Sequence, residues 1–173
     1  ENSAVVADQQ GTSVYIFDEN GQKGQFETLL PIEKVKVARQ GVVAAVLTEE
    51  EVTWINFYDT TGGEIAKMRT TVKESGYPMD IALSPDGMKI MVSFLWPDQK
   101  GLKTRVAFYN FDSIGQTEEN NQVNLLTYDG VVVPSVYFVD EQRAVILRNN
   151  GFSVCQGKEI PKEKVSVDFE DEI

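Results

Sequence analysis

The chain of 173 residues has no histidine and only one cysteine, Cys155. Without histidine it lacks the usual general base of enzymes, the usual proton shuttle and the commonest metal ligand. A single cysteine cannot form an intrachain disulfide or a thiolate cluster, and we interpret Cys155 as a small buried hydrophobic residue rather than a reactive thiol. These absences predict no metal site and no bound cofactor.

Positive charge and long apolar runs are also scarce. Sixteen Lys and Arg stand against twenty-seven Asp and Glu, and the resulting charge of -11 repels phosphate backbones and anionic lipid headgroups. Nucleic acid is therefore not an expected partner. The sequence contains neither an apolar run long enough to span a membrane nor a signal-peptide pattern. Because it opens at Glu1 with a strand-like run over residues 4–7, we interpret it as a piece of a longer protein.

Short runs rich in Val, Ile, Tyr and Phe make up much of the remaining sequence. Clusters of Gly, Pro, Asp and Asn separate them about every eight to twelve residues, a pattern typical of all-β proteins. The one stretch that could hide a helix is 20–30, and its glycines argue against helix formation there.

The clearest hairpin lies in residues 80–94, DIALSPDGMKIMVSF. Pro85 presets φ for the turn, Asp86 can bond back to the backbone, and Gly87 can take a positive φ. The following strand is apolar on both faces, so a lone hairpin would leave apolar surface in water. Small antiparallel sheets that stack face to face bury both sides, which predicts a β-propeller-like array.

Two spacings indicate the repeat. Gly41 and Gly87 both end a first hairpin turn and lie 87 - 41 = 46 residues apart, which is a blade-sized period. The motif Asp-x-x-Gly follows aromatic-rich strands three times, at Asp18/Gly21, Asp59/Gly62 and Asp112/Gly115. We predict one partial propeller of about 3.5 to 4 four-stranded antiparallel blades, the first lacking its opening strand. The predicted blades cover 1–30, 32–75, 78–130 and 133–169.

The segment SPDGMKIMVSF, with DIAL before it, resembles the repeat of TolB-like, WD-repeat-like and quinoprotein-like propellers. More closely, VVADQQGTSVYIFDENG, LLPIEKVKVARQGVVAAVL, VTWINFYDTTGGEIAK and SGYPMDIALSPDGMKIMVSF resemble an uncharacterised Gram-positive envelope family that carries a domain of unknown function. The resemblance implies an extracellular propeller-like domain held by one N-terminal transmembrane helix, with the helix and part of the propeller outside these residues. It implies no catalytic or binding residue.

Three patterns could suggest chemistry. Asp18 to Gly21 looks like half of a calcium loop, but its third acidic position and its distal Glu are missing, so we interpret Asp18 and Gly21 as a structural turn, like Asp59 and Gly62. The acidic runs 49–51 and 170–172 are typical of solvated loops. Serine nucleophiles would need a histidine or a suitably placed lysine, and neither pattern occurs. We therefore predict no catalytic residue and no enzymatic activity.

The better candidates for function are aromatic. Trp96 is predicted on the loop after the central strand of the third blade, beside Asp98, and Tyr77 precedes the same blade. Exposed Trp and Tyr are favoured contact residues in protein and sugar sites. Alternatively, Trp96 folds over a blade edge. Trp54 is predicted to pack between blades.

The leading hypothesis is a non-catalytic extracellular binding or scaffold propeller that contacts an envelope protein or a glycan. Two alternatives stay open: a glycosidase-like or quinoprotein-like propeller enzyme whose active residues lie outside this chain, and a structural spacer. Open sheet edges are expected near Val5 and Val165, and such edges invite self-association.

Overall fold

The computed structural model of the chain describes residues 2–98 and 101–170, with Pro97 and Asp98 described by their backbone alone. The described residues form fifteen strands: β1 (Ala4–Ala7), β2 (Ser13–Asp18), β3 (Gly21–Glu27), β4 (Ile32–Val37), β5 (Val43–Glu49), β6 (Val52–Tyr58), β7 (Glu64–Thr71), β8 (Tyr77–Leu83), β9 (Lys89–Asp98), β10 (Gly101–Asn110), β11 (Gln122–Asp129), β12 (Ser135–Phe138), β13 (Arg143–Arg148), β14 (Gly151–Gln156) and β15 (Lys162–Asp168). One helical turn, α1 (Val72–Ser75), and two 3-10 turns (Gly115–Thr117 and Glu119–Asn121) complete the secondary structure.

The strands form four antiparallel sheets within two compact units, Glu1–Glu74 and Ser75–Ile173. The first unit holds a three-stranded sheet, β1-β2-β3, and a four-stranded sheet, β4-β5-β6-β7. The second unit holds two four-stranded sheets, β8 to β11 and β12 to β15. Consecutive strands pair in every sheet, because short turns join neighbours that run in opposite directions. The predicted all-β class, with four-stranded antiparallel sheets and a shorter first one, is confirmed.

In the first unit, the two sheets pack face to face through alternate residues of their strands. Val14 and Ile16 of β2 are fully buried in one apolar cluster with Val43, Ala45 and Leu47 of β5. Trp54 is partly buried against the same cluster, which confirms its predicted packing role. Because side chains alternate along a strand, the i, i+2 spacing of these residues puts each set on one face.

The second unit repeats this arrangement. Met91 of β9 and Phe108 of β10 are buried with Ile146 of β13 and Cys155 of β14. Asp80, only 5% exposed on β8, accepts hydrogen bonds at its Oδ2 atom from the Ser135 hydroxyl (3.1 Å) and from the Val136 backbone N–H (3.0 Å). A buried carboxylate thus joins the first strands of these two sheets.

The thiol of Cys155 is fully buried, and burial, with a smaller contribution from Glu163, raises its pKa to about 12. Since the thiolate is the reactive form, we expect no reaction with an aromatic disulfide reagent at neutral pH in the folded protein. The absorbance assay should report one thiol per chain only after denaturant is added. Rapid modification without denaturant would contradict this expectation.

One prediction about the third sheet is wrong. Trp96 does not lie on a loop, because β9 continues to Asp98 and pairs residue by residue with β10, from Lys89↔Asn110 to Gly101↔Asp98. The strand was expected to stop at Phe94. It continues because β10 begins at Gly101 and gives Trp96 a cross-strand partner, Lys103. The side chain of Asp98, the third candidate binding residue, lies outside the described part of the structure.

Candidate binding surface at the β9–β10 hairpin

The turn between β8 and β9 uses its polar groups to shape the backbone. Gly87, with φ of 72°, donates its N–H to the Ser84 carbonyl (2.8 Å), and the Asp86 carboxylate accepts the N–H of Met88 (3.1 Å). Burial alone would raise the pKa of Asp86, but hydrogen bonds from Ser84 and Met88 and the charge of Lys89 outweigh it, so the pKa is lowered. The carboxylate of Asp86 and the N–H of Gly87 therefore stabilise the turn that Pro85 opens.

In the Asp-x-x-Gly turns, too, the carboxylate accepts hydrogen bonds from the turn itself. The Asp59 carboxylate accepts the hydroxyl (2.7 Å) and the N–H (2.8 Å) of Thr61 and the N–H of Gly63 (2.9 Å), and these bonds lower its pKa. Asp18 accepts the N–H of Asn20 (2.8 Å) in the equivalent turn. Within the described residues, no group of three or more Cys, Asp or Glu side chains could hold a metal ion.

A matched pair of glycines tests this turn geometry. Gly62 (φ 85°) and Gly21 (φ 116°) hold equivalent places, but a Cβ on Gly62 would lie 2.3 Å from the Phe26 Cβ, whereas a Cβ on Gly21 meets nothing within 4 Å. Gly21→Ala should lower the free energy of unfolding by about 1–2 kcal/mol through backbone strain alone. Gly62→Ala should cost clearly more, as measured by urea denaturation. Equal losses would contradict the clash.

At the far end of the β9–β10 hairpin, Trp96 lies against charged residues. The Arg105 guanidinium carbon is 4.0 Å from the centroid of the Trp96 ring, which is a close cation–π contact. Lys103 stands directly across the ladder from Trp96, and its ammonium lies 3.3 Å from the Asp129 carboxylate on β11. Residues that face one another across a ladder share a face, so Trp96, Arg105, Lys103 and Asp129 form one surface, which we call the Trp96 surface.

Tyr77 lies on the opposite face of the same sheet. It pairs with Leu95, the neighbour of Trp96, and successive strand residues point to opposite sides. Its side chain is 54% exposed. Of the three candidate binding residues, the structure therefore places Trp96 and Tyr77 in one sheet but does not bring them together on one face.

Three residues of the Trp96 surface were missed by sequence reasoning. Lys103 and Arg105 alternate in the run GLKTRVAFYN, which is the signal that would place them on one face of a strand. That signal is weak, because Thr104 is the one β-branched residue among Gly101 to Thr104 and none of them is aromatic. Asp129 joins through a third strand, so only the sheet register could add it.

The surface suits non-covalent contact. An indole ring stacked on a guanidinium combines a rigid apolar surface with neighbouring hydrogen-bond donors. Trp and Arg are both common at the centre of protein interfaces. No helix in the described residues has both the length and the apolar composition to cross a membrane.

Comparison with solved structures shows the fold. The chain is similar to Hsv2 of Kluyvelomyces marxianus (12% identity, TM-score 0.66, 99% of this chain and 60% of that one). It is also similar to the β-propeller domain of the Trilobed protease of Pyrococcus furiosus (10% identity, TM-score 0.58, 99% of this chain and 54% of that one). A third similar structure is the uncharacterized protein lmo1340 of Listeria monocytogenes (12% identity, TM-score 0.54, 95% of this chain and 51% of that one). The chain thus spans about half to three fifths of the length of these structures.

At such low identity these similarities establish the β-propeller fold alone. No curated protein sequence matches the chain. A family model described as "Family of unknown function (DUF5711)" matches residues 1–173. Because this match covers the whole chain, the chain belongs to the DUF5711 family, which confirms the expected membership of a family with a domain of unknown function.

Proposed function

We propose that this chain is a non-catalytic binding or scaffold propeller of a bacterial envelope protein, and that it contacts a protein partner through the Trp96 surface. The proposed location is extracellular, with a membrane anchor outside these residues. The observation that supports the binding role is the Trp96–Arg105 pair, a stacked aromatic and cation at the end of the longest hairpin.

The chemistry of the pair favours a protein partner. Trp and Arg are over-represented among the residues that dominate interface energies, and truncating such a residue typically costs 2 kcal/mol or more. Lys103 and Arg105 set two cations against one carboxylate, Asp129, on this surface, and this local excess of positive charge on a chain of net charge -11 would orient an acidic segment of the partner towards it. A glycan, stacked on the indole, is the second ligand class for the same surface.

A test compares three versions of the chain as bait on solubilised Gram-positive envelopes: wild type, Trp96→Ala and Tyr15→Ala. Tyr15 is an exposed aromatic residue on β2, remote in sequence from the hairpin, and serves as the matched control. We expect one partner to be retained by wild type and Tyr15→Ala, with affinity for Trp96→Ala about thirtyfold weaker. A partner held equally by all three would refute the role of Trp96.

Trp96 fluorescence provides a second readout. The chain has two tryptophans, so Trp54→Phe leaves Trp96 as the single indole, and its emission should change when the purified partner or a peptidoglycan fragment is added. If the emission changes with the glycan and not with the protein, the ligand of this surface is a glycan rather than a protein. If the chain also cleaves that glycan, it is a propeller enzyme and not a non-catalytic binding domain.

A further inference from the structure

Each of the four sheets has an outer strand, which comes last in chain order: β3, β7, β11 and β15. Over the ranges 2–98 and 101–170, each of these strands pairs on one side only. A free strand edge can pair with another chain, and natural proteins oppose this with charged residues and with breaks in the strand.

The four outer strands differ in this protection. β3 (GQKGQFE) has two glycines and two charged residues, β7 (EIAKMRTT) has three charged residues, and β15 (KEKVSVD) has four. β11 (QVNLLTYD) has one charged residue, Asp129, at its last position. β11 is therefore the outer strand with the least protection, and it lies in the middle of the chain, between β10 and β12.

The first residues of β11 are closed to a partner. The ladder with β10 is irregular there, because Tyr109 pairs with Gln122 and leaves Val123 as a bulge. The side chain of Asn124 then accepts the N–H of Leu125 at its Oδ1 atom (2.9 Å) and donates from Nδ2 to the Pro161 carbonyl (2.7 Å). The usable edge thus begins at the carbonyl of Leu125.

The remaining backbone groups of β11 alternate in direction. The N–H of Gly130 donates to the Leu102 carbonyl (2.7 Å), so at this position β11 bonds to β10. In an antiparallel ladder every second residue bonds to the same neighbour, and the residues between them turn their N–H and C=O groups to the other side. The residues that face the open side are therefore Leu125, Thr127 and Asp129.

These open groups match a second copy of the same strand. The Leu125 carbonyl, the N–H and carbonyl of Thr127, and the Asp129 N–H are arranged symmetrically about Thr127. An antiparallel copy places Thr127 opposite Thr127, and each Asp129 N–H opposite the Leu125 carbonyl of the other copy. The pairing forms about four main-chain hydrogen bonds and leaves the Leu125 N–H with Asn124.

The side chains suit the same register. Thr127 is exposed and would contact its own copy, and paired threonines are favourable across antiparallel strands. On the other face, Leu126 of one copy would lie opposite Tyr128 of the other. Both residues are partly buried and already pack against the apolar cluster of the second unit.

We propose that two copies of this chain join edge to edge through β11, with Thr127 on the two-fold axis, so that their third sheets form one continuous antiparallel sheet. The contact involves a single strand of each copy, and each copy carries a net charge of -11. The dimer is therefore weak, and added salt strengthens it by screening the repulsion between the copies.

The dimer has a consequence for the Trp96 surface. A two-fold axis perpendicular to a sheet keeps each face on its own side, so both Trp96 surfaces would lie on one face. With strands about 4.8 Å apart and a rise of about 3.4 Å per residue, the two Trp96 residues would be roughly 25–30 Å apart. A partner with two binding segments could contact both. This consequence rests on the proposed function, whereas the dimer itself does not.

Sedimentation equilibrium of the wild-type chain provides the first test. The average mass should rise from monomer towards dimer as protein concentration increases, and the Kd should fall when salt is raised. Amide exchange measured by NMR on the same samples should slow at Thr127 and Asp129 as concentration rises, and this readout needs no variant.

Thr127→Lys places a lysine opposite its own copy on the axis and should raise the Kd about fivefold or more. The matched control is Ile65→Lys. Ile65 is 57% exposed on β7, another outer strand, so this change adds the same charge away from β11 and should not weaken the dimer. Circular dichroism checks that both variants keep the wild-type fold.

A mixing experiment tests the axis itself. Thr127→Lys and Thr127→Glu should each dimerise poorly alone, but in the mixture each lysine would face a glutamate. The average mass should therefore rise when the two variants are combined. This recovery requires that residue 127 of one copy lies opposite residue 127 of the other.

Three results would overturn the proposal. A wild-type chain that stays monomeric at every protein and salt concentration would leave the β11 edge to a different polypeptide. A dimer weakened by Ile65→Lys but not by Thr127→Lys would use another edge. Mixed variants that associate no better than the separate ones would exclude Thr127 from the two-fold axis.

Discussion

Replacing Phe108 by alanine is expected to lower the free energy of unfolding by about 3–5 kcal/mol, the range for truncating a large buried aromatic side chain. Phe108 is 1% exposed and lies in the apolar cluster that joins β10 to β13 and β14 in the second unit. Truncation leaves a cavity between two rigid sheets that can collapse only in part. Urea denaturation followed by circular dichroism measures the loss.

The matched control is Leu125→Ala on the adjacent strand β11. Leu125 is 43% exposed and pairs with Ala107, the neighbour of Phe108, so its side chain lies on the opposite face of the sheet from Phe108. Its cost should stay near 1 kcal/mol. Trp96 lies in the same unit as Phe108, so its fluorescence reports the unfolding of that unit. In a Trp54→Phe background, Phe108→Ala should shift the unfolding transition seen by Trp96 fluorescence to a lower urea concentration. An unmoved transition would contradict the assigned packing.

Replacing Asp80 by alanine is expected to cost about 2–4 kcal/mol, because it leaves the buried Val136 N–H and the partly buried Ser135 hydroxyl without this acceptor. Asp80→Asn should cost less, since its amide oxygen can still accept one of these bonds. Asp18→Ala provides the control, because that carboxylate bonds an exposed turn, and it should change stability by about 1 kcal/mol or less.

A double-mutant cycle separates the bond from general destabilisation. Ser135→Ala alone removes one of the two donors, and combined with Asp80→Ala it should cost less than the sum of the two single changes. Strict additivity would show that Asp80 does not act through Ser135. Such a result would leave the Val136 N–H as the donor through which the carboxylate links the first strands of the third and fourth sheets.

Much of the architecture was readable from local signals. Turn residues such as Pro85 and Gly87 act through φ preferences and short-range hydrogen bonds, so their spacing gave the sheet repeat before any tertiary contact was known. The Asp-x-x-Gly motif also gave the phase of the repeat, and with it a first sheet without its opening strand. The runs rich in Val, Ile, Tyr and Phe between these turns likewise indicated strands.

The candidate site was less predictable. Trp96 was identified as a residue of interest, but its strand and its contact with Arg105 depend on the ten-residue β9–β10 register. The separation of Tyr77 onto the other face depends on the β8–β9 register. The length of a strand depends on how many backbone hydrogen bonds its neighbour can form with it. Residues Gly101 to Thr104 carry weak strand signals by themselves.

The sequence alone therefore determined the class of fold, the number and phase of its sheets and the turns between them, because those depend on residues a few positions apart. The tertiary structure decided which side chains meet. Asp80 reaches Val136 across 56 residues, and Ser3 before β1 reaches the Arg39 carbonyl after β4 across 36 residues. Both arise from the register of whole sheets against one another, which involves many weak contacts at once and leaves no local pattern in the chain.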